Sequence, residues 1–143
     1  MSEPRAMTDL ETIYAKLPNI QCRGLCRDQC SVIPASELEF RAMAERGFDL
    51  REAGRSFMAG GPSRCAALSP LGTCRAYDVR PLICRLYGVA EGLECSYGCQ
   101  PDWLLTRAQV RVLLHEAECL SIRETGKARR LGGLDEIAHP EAT

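Results

Sequence analysis

The cysteines constrain this chain more than any other feature. It carries nine in 143 residues, and eight of them fall in three groups: Cys22, Cys26 and Cys30, then Cys65, Cys74 and Cys84, then Cys95 and Cys99. Each group lies in a stretch punctuated by glycine or proline, so the thiols belong to loops and short broken helices. The ninth, Cys119, falls beside apolar positions of a helical stretch and reads as a small buried apolar residue. The N-terminal MSEPRAMTDLETIYAKL carries acids and lacks the apolar core and small-residue cleavage site of a secretory leader, which places the expected compartment in the cytoplasm. In a reducing compartment such thiols bind metal or do redox chemistry rather than form structural disulfides, and an odd count leaves one over in any full pairing. The eight grouped cysteines are therefore the candidate metal ligands, enough for two four-thiolate sites or for one site and a reactive set.

Spacing bears on the choice of metal. Zinc ribbons and knuckles present Cys-x2-Cys pairs, because that turn points two thiolates at one tetrahedral ion. The chain contains no such pair. On a straight helix Cys22 and Cys30 would stand about 12 Å apart at about 1.5 Å per residue, too far for one ion. Either the segment curls, as Gly24 permits, around something larger, or its thiols are divided between two sites. An iron–sulfur cluster is larger, takes four thiolates and often has a proline soon after a ligand, as Pro101 follows Cys99. The balance falls slightly toward an iron–sulfur cluster, with Zn2+ close behind. Arg23, Arg27, Arg64, Arg75 and Arg85 each adjoin a cysteine. They either donate hydrogen bonds to the sulfurs or lie as solvated surface charges.

Between the cysteine groups the pattern is helical. Thr8 and Glu11 form a capping-box pattern with Leu10, Ile13, Tyr14 and Leu17 at helical spacing, and Pro18 ends the run. Ser36 and Glu39 open a second helix bearing Leu38, Ala42 and Met43, with Gly47 at its C-terminal position. FDLREAGRSFM is one more short helical piece before the breaker AGGPS. Ser69, Pro70 and Gly72 predict a tight reversal between Cys65 and Cys74, with room for one short β-hairpin. Pro81 starts a short helix, PLICRLY, that Gly88 stops. Thr106 and Gln109 cap a last helix running to about Arg123, with Val110, Leu113, Leu114 and Ala117 inward. The expected architecture is mainly α: a small single-domain helical protein over residues 1–125, its cysteine-bearing loops organised around a metal site, and a mobile polar tail over 126–143.

The stretch RCAALSPLGTCRAYDVRPLICRLYG also carries an ordered pattern. A cysteine precedes a leucine, then come a Gly-x-Cys-x-x-Tyr step, Arg-Pro-x-x-Cys-Arg and an aromatic, met by Cys65, Leu68, Gly72, Cys74, Tyr77, Arg80, Pro81, Cys84, Arg85 and Tyr87. In this the chain resembles the YkgJ-type cysteine-cluster proteins, described as a zinc- or iron-chelating domain, whose relatives include flagellin lysine N-methylases. The resemblance covers roughly residues 20 to 100. It extends to an upstream Cys-x3-Cys-x2-Cys-Cys cluster aligned with Cys22, Cys26, Gln29 and Cys30. Gln29 departs from it, standing where the family has the first cysteine of the doublet, and Cys95 or Cys99 would have to compensate. Within that frame Pro81 presents Cys84 one turn into a helix, near the positive end of the helix dipole, where a thiolate is favoured. Arg80 and Arg85 would bracket the site, and Tyr77 and Tyr87 would shield it or simply pack.

These readings imply a cytosolic metal-binding protein whose cysteine cluster chelates an iron–sulfur cluster or zinc. The alternatives are a cluster-dependent enzyme, a methyltransferase or oxidoreductase on the analogy of the lysine N-methylases, and a metal-stabilised protein-interaction module. A formal net charge of -1 and a single tryptophan, Trp103, argue against a general nucleic-acid surface. The longest apolar runs, such as VLLHEA, fall far short of the roughly 20 residues that cross a bilayer. No glycine-rich phosphate loop, GxSxG elbow or HExxH helix is present. His115 and His139 read as incidental, and a protein partner stays open.

Overall fold

The longest element of the computed structural model, which describes residues 3–22, 30–127 and 130–131, is a 19-residue helix, Arg107–Thr125. Numbered in chain order, the helices are α1 (Glu3–Tyr14), α2 (Glu37–Glu45), α3 (Leu50–Met58), α4 (Leu82–Leu86) and α5 (Arg107–Thr125). Strands β1 (Pro34–Ala35) and β2 (Arg130–Leu131) pair antiparallel, Pro34 facing Leu131. The protein is thus small and mostly helical. No helix among the described residues is long and apolar enough to cross a membrane. Beyond Arg130 and Leu131, most of the expected mobile tail lies outside the described residues.

Local signals set most helix ends. The capping boxes form as expected: Ser36 Oγ accepts the Glu39 N–H at 3.3 Å, and Thr106 Oγ1 accepts the Gln109 N–H at 3.1 Å. Asp49 caps α3 through the Glu52 N–H at 3.0 Å. At the end of α2, the Gly47 N–H donates to the Ala44 carbonyl and the Phe48 N–H to the Met43 carbonyl. That reversal needs the left-handed φ of +91° that Gly47 supplies. α1 departs from expectation. It begins at Glu3, so Thr8 lies mid-helix and its carbonyl accepts the Thr12 hydroxyl at 3.0 Å. Pro4 does not block the earlier start, because first-turn N–H groups have no intrahelical acceptor.

α1, α2 and α4 all pack on α5. The inward stripe of α5 is Leu113, Ala117, Leu120 and Ser121, which meets Leu10 and Ile13 of α1, Leu38 of α2 and Leu82 and Leu86 of α4. The other side of α2 offers Phe40 and Met43 to a second, smaller cluster with Leu50, Ala67 and Ala76. α2 is therefore the wall between a helical core and the cysteine loops. Burying each large side chain of these clusters stabilises the fold by about 1.5–3 kcal/mol.

Candidate functional site

Cys65 and Cys74 are held at the two ends of the reversal. Ser69 Oγ accepts the N–H of Leu71 at 3.2 Å and of Thr73 at 3.1 Å, and the Ser69 N–H donates to the Thr73 carbonyl at 2.8 Å. The Arg75 N–H closes the next rung on the Ala67 carbonyl at 2.9 Å. Among the described residues the ladder amounts to a single antiparallel bridge, Leu68 to Cys74, and not to a hairpin of two strands. Arg64 spans the turn, donating to the Leu68 and Ser69 carbonyls at 3.4 Å each. Both cysteines then pack on the smaller cluster against α2.

Cys84 comes to them on α4. Pro81 precedes the helix, its carbonyl accepting the Cys84 N–H at 3.0 Å, and the Glu39 carboxylate accepts the Leu82 N–H at 2.5 Å. The Cys84 thiol is pushed up to about 12, by burial first and then by Cys65; Arg80 opposes, and Cys74 and Cys30 add to the rise. Three other thiols thus act on this one. Together with Cys84 these thiols come from three separate stretches of chain: Cys30, the reversal of Cys65 and Cys74, and α4 itself. The helix start does not favour the Cys84 thiolate as expected, because burial and neighbouring thiols outweigh the weak dipole of a five-residue helix.

The Cys65 thiol is raised as well, by burial first; the backbone N–H of Ala67 opposes, Cys74 adds to the rise, and the Leu68 N–H and the Arg64 charge oppose. Backbone N–H groups aimed at a cysteine sulfur favour its thiolate and orient it, as they do around bound metals. The arginines divide. Arg64 and Arg80 act on the thiols. Arg85 turns away, stacking 3.8 Å above the Tyr14 ring and donating to the Arg80 carbonyl at 2.7 Å and the Asp78 carbonyl at 3.0 Å. It therefore does not bracket the site. Arg75 lies 5.1 Å over the Phe48 ring. Tyr77 carries Arg80 at 3.7 Å and is 54% exposed, while the Tyr87 hydroxyl sits 3.3 Å from Ser96 Oγ. Arg23, Arg27, Cys26 and Gln29 lie outside the described residues.

The remaining grouped cysteines stand elsewhere. Cys22 and Cys99 line one cavity with Asp102, and Cys95 sits in the turn just before Cys99. Cys119 is exposed, contrary to expectation. It falls two positions past Ala117, off the buried stripe of α5, and its sulfur lies 3.4 Å from His115 Nε2. Among the described residues no three His, Cys, Asp or Glu side chains are already converged on one point as a metal holds them. The three thiols that raise Cys84 are therefore not gathered about a common point with it.

Glu39 does more than cap α2. Glu39 Oε2 accepts the Tyr14 hydroxyl at 2.6 Å and the Leu82 N–H, while Oε1 accepts the Ser36 hydroxyl at 2.9 Å and the Ser36 N–H at 3.2 Å. One buried carboxylate therefore joins α1, α2 and α4 next to Cys84. Burial and that carboxylate push the Tyr14 phenol above its ordinary value. Only the Ser36–Glu39 spacing marks Glu39 in the sequence, and it reports the cap alone.

No family model, no curated protein and no solved structure matches the chain.

Proposed function

We propose that the chain is a metal-binding protein in which Cys30, Cys65, Cys74 and Cys84 hold one iron–sulfur cluster or one Zn2+. What supports this reading is that the reversal packs Cys65 and Cys74 on the cluster against α2 while Cys84 sits in α4, where burial and the charges of Cys65, Cys74 and Cys30 raise its thiol and Arg80 opposes. Four sulfurs of one type are the donor set that either group takes. Protonated thiols do not ligate, so binding releases their protons to solvent. The arginines then face the net negative charge of a four-thiolate site, and the N–H groups of Ala67 and Leu68 hold the Cys65 sulfur in place. Such a metal would supply folding energy to the loops between α3 and α4. The reading belongs with the cytoplasm, where thiols stay reduced.

The test is anaerobic purification followed by analysis for zinc, iron and acid-labile sulfide. Stoichiometric metal is expected, and Cys74→Ser or Cys84→Ser removes it where Cys119→Ser does not. Protein that carries no metal and takes up none, or equal loss in all three variants, refutes the reading.

A further inference from the structure

The face of α5 turned away from the core has an uncharged middle. At about 100° per residue, the exposed side chains of this helix fall on an arc whose centre line carries Ala108, Val112, His115, Cys119 and Ile122. None of the five is an acid, a lysine or an arginine, although the centre of a solvated helix face is where such residues collect. Val112 is 57% exposed and Ile122 44%. The Cys119 sulfur lies 3.4 Å from His115 Nε2, so the stripe is continuous between them. Its intervals are four, three, four and three residues, the spacing of a seam by which one helix packs lengthwise on another. α1, α2 and α4 all lie on the opposite side, against Leu113, Ala117 and Leu120.

The flanks of the stripe indicate what covers it. Arg111 is exposed along one side and Glu116 stands along the other, where it holds Lys16 at 3.0 Å while its side chain stays 37% exposed. In a parallel, in-register pair of such helices, a residue on the Arg111 flank comes beside the residue five positions further on in its neighbour, which is Glu116. A two-fold axis makes that pairing twice. An antiparallel copy using the whole stripe would set Val112 against Ile122 and His115 against Cys119, and would bring the two Glu116 carboxylates together, a like-charge contact. The charges therefore select a parallel second copy. That register also opposes each Cys119 to its own counterpart. Helix axes about 8–10 Å apart, with Cα atoms about 2.3 Å from each axis, leave these residues roughly 4.5–6 Å apart, within the about 4.4–6.8 Å that a disulfide spans.

We infer that the exposed face of α5 is a homodimer surface, on which two copies pack α5 against α5 in parallel, with Val112, His115, Cys119 and Ile122 in the seam and Arg111 paired to the partner's Glu116. The seam is about 21 Å long at about 1.5 Å per residue, short for a standard interface of about 1,200–2,000 Å², so the association is a weak one. The surface contains none of the thiols around Cys84, and the dimer needs no metal.

Sedimentation equilibrium of the reduced full-length chain tests it, with half-dimerisation expected at about 100 µM chain. Val112→Glu should weaken association at least about tenfold with an unchanged circular dichroism spectrum and melting curve, because the side chain it replaces is already exposed. Arg111→Glu should also weaken it, and Arg111→Glu/Glu116→Arg should restore it, since the pair is then reversed. Oxidised glutathione should lock the dimer: two Cys119 thiols become one disulfide as one glutathione disulfide is reduced to two thiols, and peptide mapping should find Cys119 joined to Cys119. A chain that stays monomeric at about 1 mM, well above that concentration, overturns the inference. So does a dimer that Val112→Glu leaves intact, a charge swap that restores nothing, or a dimer in which Cys119 does not join its own copy.

Discussion

Zinc affinity of the Cys84 group should rise steeply with pH, and the structure sets the scale. A thiol held at about 12 is five pH units from ionising at pH 7, which at about 1.36 kcal/mol per unit costs about 7 kcal/mol. A thiol at the ordinary model value of 9.0 costs about 2.7 kcal/mol at that pH, so burial at Cys84 adds about 4 kcal/mol to the work of binding. Apparent binding energies of about 10–16 kcal/mol for structural zinc cover this, yet a tenfold change in apparent affinity per pH unit follows for each proton displaced. Measured by chelator competition between pH 6 and 8, the logarithm of the zinc association constant should climb about four units per pH unit, one for each thiol that ligates. Cys84→Ser should lower that slope to about three. Arg80→Gln should weaken zinc about tenfold at constant slope, because the Arg80 charge favours the Cys84 thiolate. A slope of two or less in the parent protein would mean that fewer than four thiols ligate, and the proposed centre would be wrong.

Without metal, the folded state keeps the Cys84 proton above pH 9 while the unfolded chain loses it. Metal-free stability should then fall by up to about 1.4 kcal/mol per pH unit between pH 9 and 10, with Cys65 adding in the same sense. Urea midpoints across pH 8 to 10 should show the fall, and Cys84→Ser should flatten it; a parent curve that stays level contradicts the buried thiols. Glu39→Gln should cost about 2–4 kcal/mol in urea unfolding, since an amide cannot accept from Tyr14, Leu82 and Ser36 together. A loss under about 1 kcal/mol would show that the carboxylate does not tie the three helices. Cys119→Ser, on the exposed face of α5, should change stability by less than about 0.5 kcal/mol, and a larger loss in thermal melting would return Cys119 to the core. Chelator treatment should raise amide exchange in residues 62–80 well before α5, a difference that hydrogen-exchange mass spectrometry resolves; uniform protection would deny the metal a role in folding.

The sequence reports what a few neighbouring residues decide. Ser36 with Glu39 and Thr106 with Gln109 mark helix starts because each cap is closed within one turn of chain. Thr8 with Glu11 shows the limit of that logic. The same spacing occurs inside α1, where the chain was already helical and no cap was needed. Cys119 misleads for a related reason: apolar neighbours along the chain say less than the angle around the helix, and two residues past Ala117 is the far side. The thiols are legible as a set, but their division is not. The placement of Cys65 and Cys74 relative to Cys84 depends on α2 holding the 65–76 loop on one face while Glu39 holds the start of α4. Tyr14 and Glu39 are 25 residues apart, and no local pattern announces their bond.

The division of the core explains why a metal belongs where it is proposed. The helical side buries leucines from α1, α2, α4 and α5 against one another, which is enough apolar surface to hold those helices unaided. Between the end of α3 and the start of α4, the fully buried apolar side chains are Ala67, Ala76 and Pro81, none of them large. Serine and backbone bonds shape the reversal, but hydrogen bonds exchanged with water stabilise by only about 1 kcal/mol each. Ordering some twenty residues costs more than two alanines, a proline and a tight turn return. What the loop does possess is Cys65 and Cys74, set against Cys84 at the edge of the leucine core. Ligation at those sulfurs couples the loop to α4, and Glu39 couples α4 to α1 and α2. A metal held by these thiols would then act as a structural clasp between the loop and α4, adding to the packing of Ala67 and Ala76 against α2.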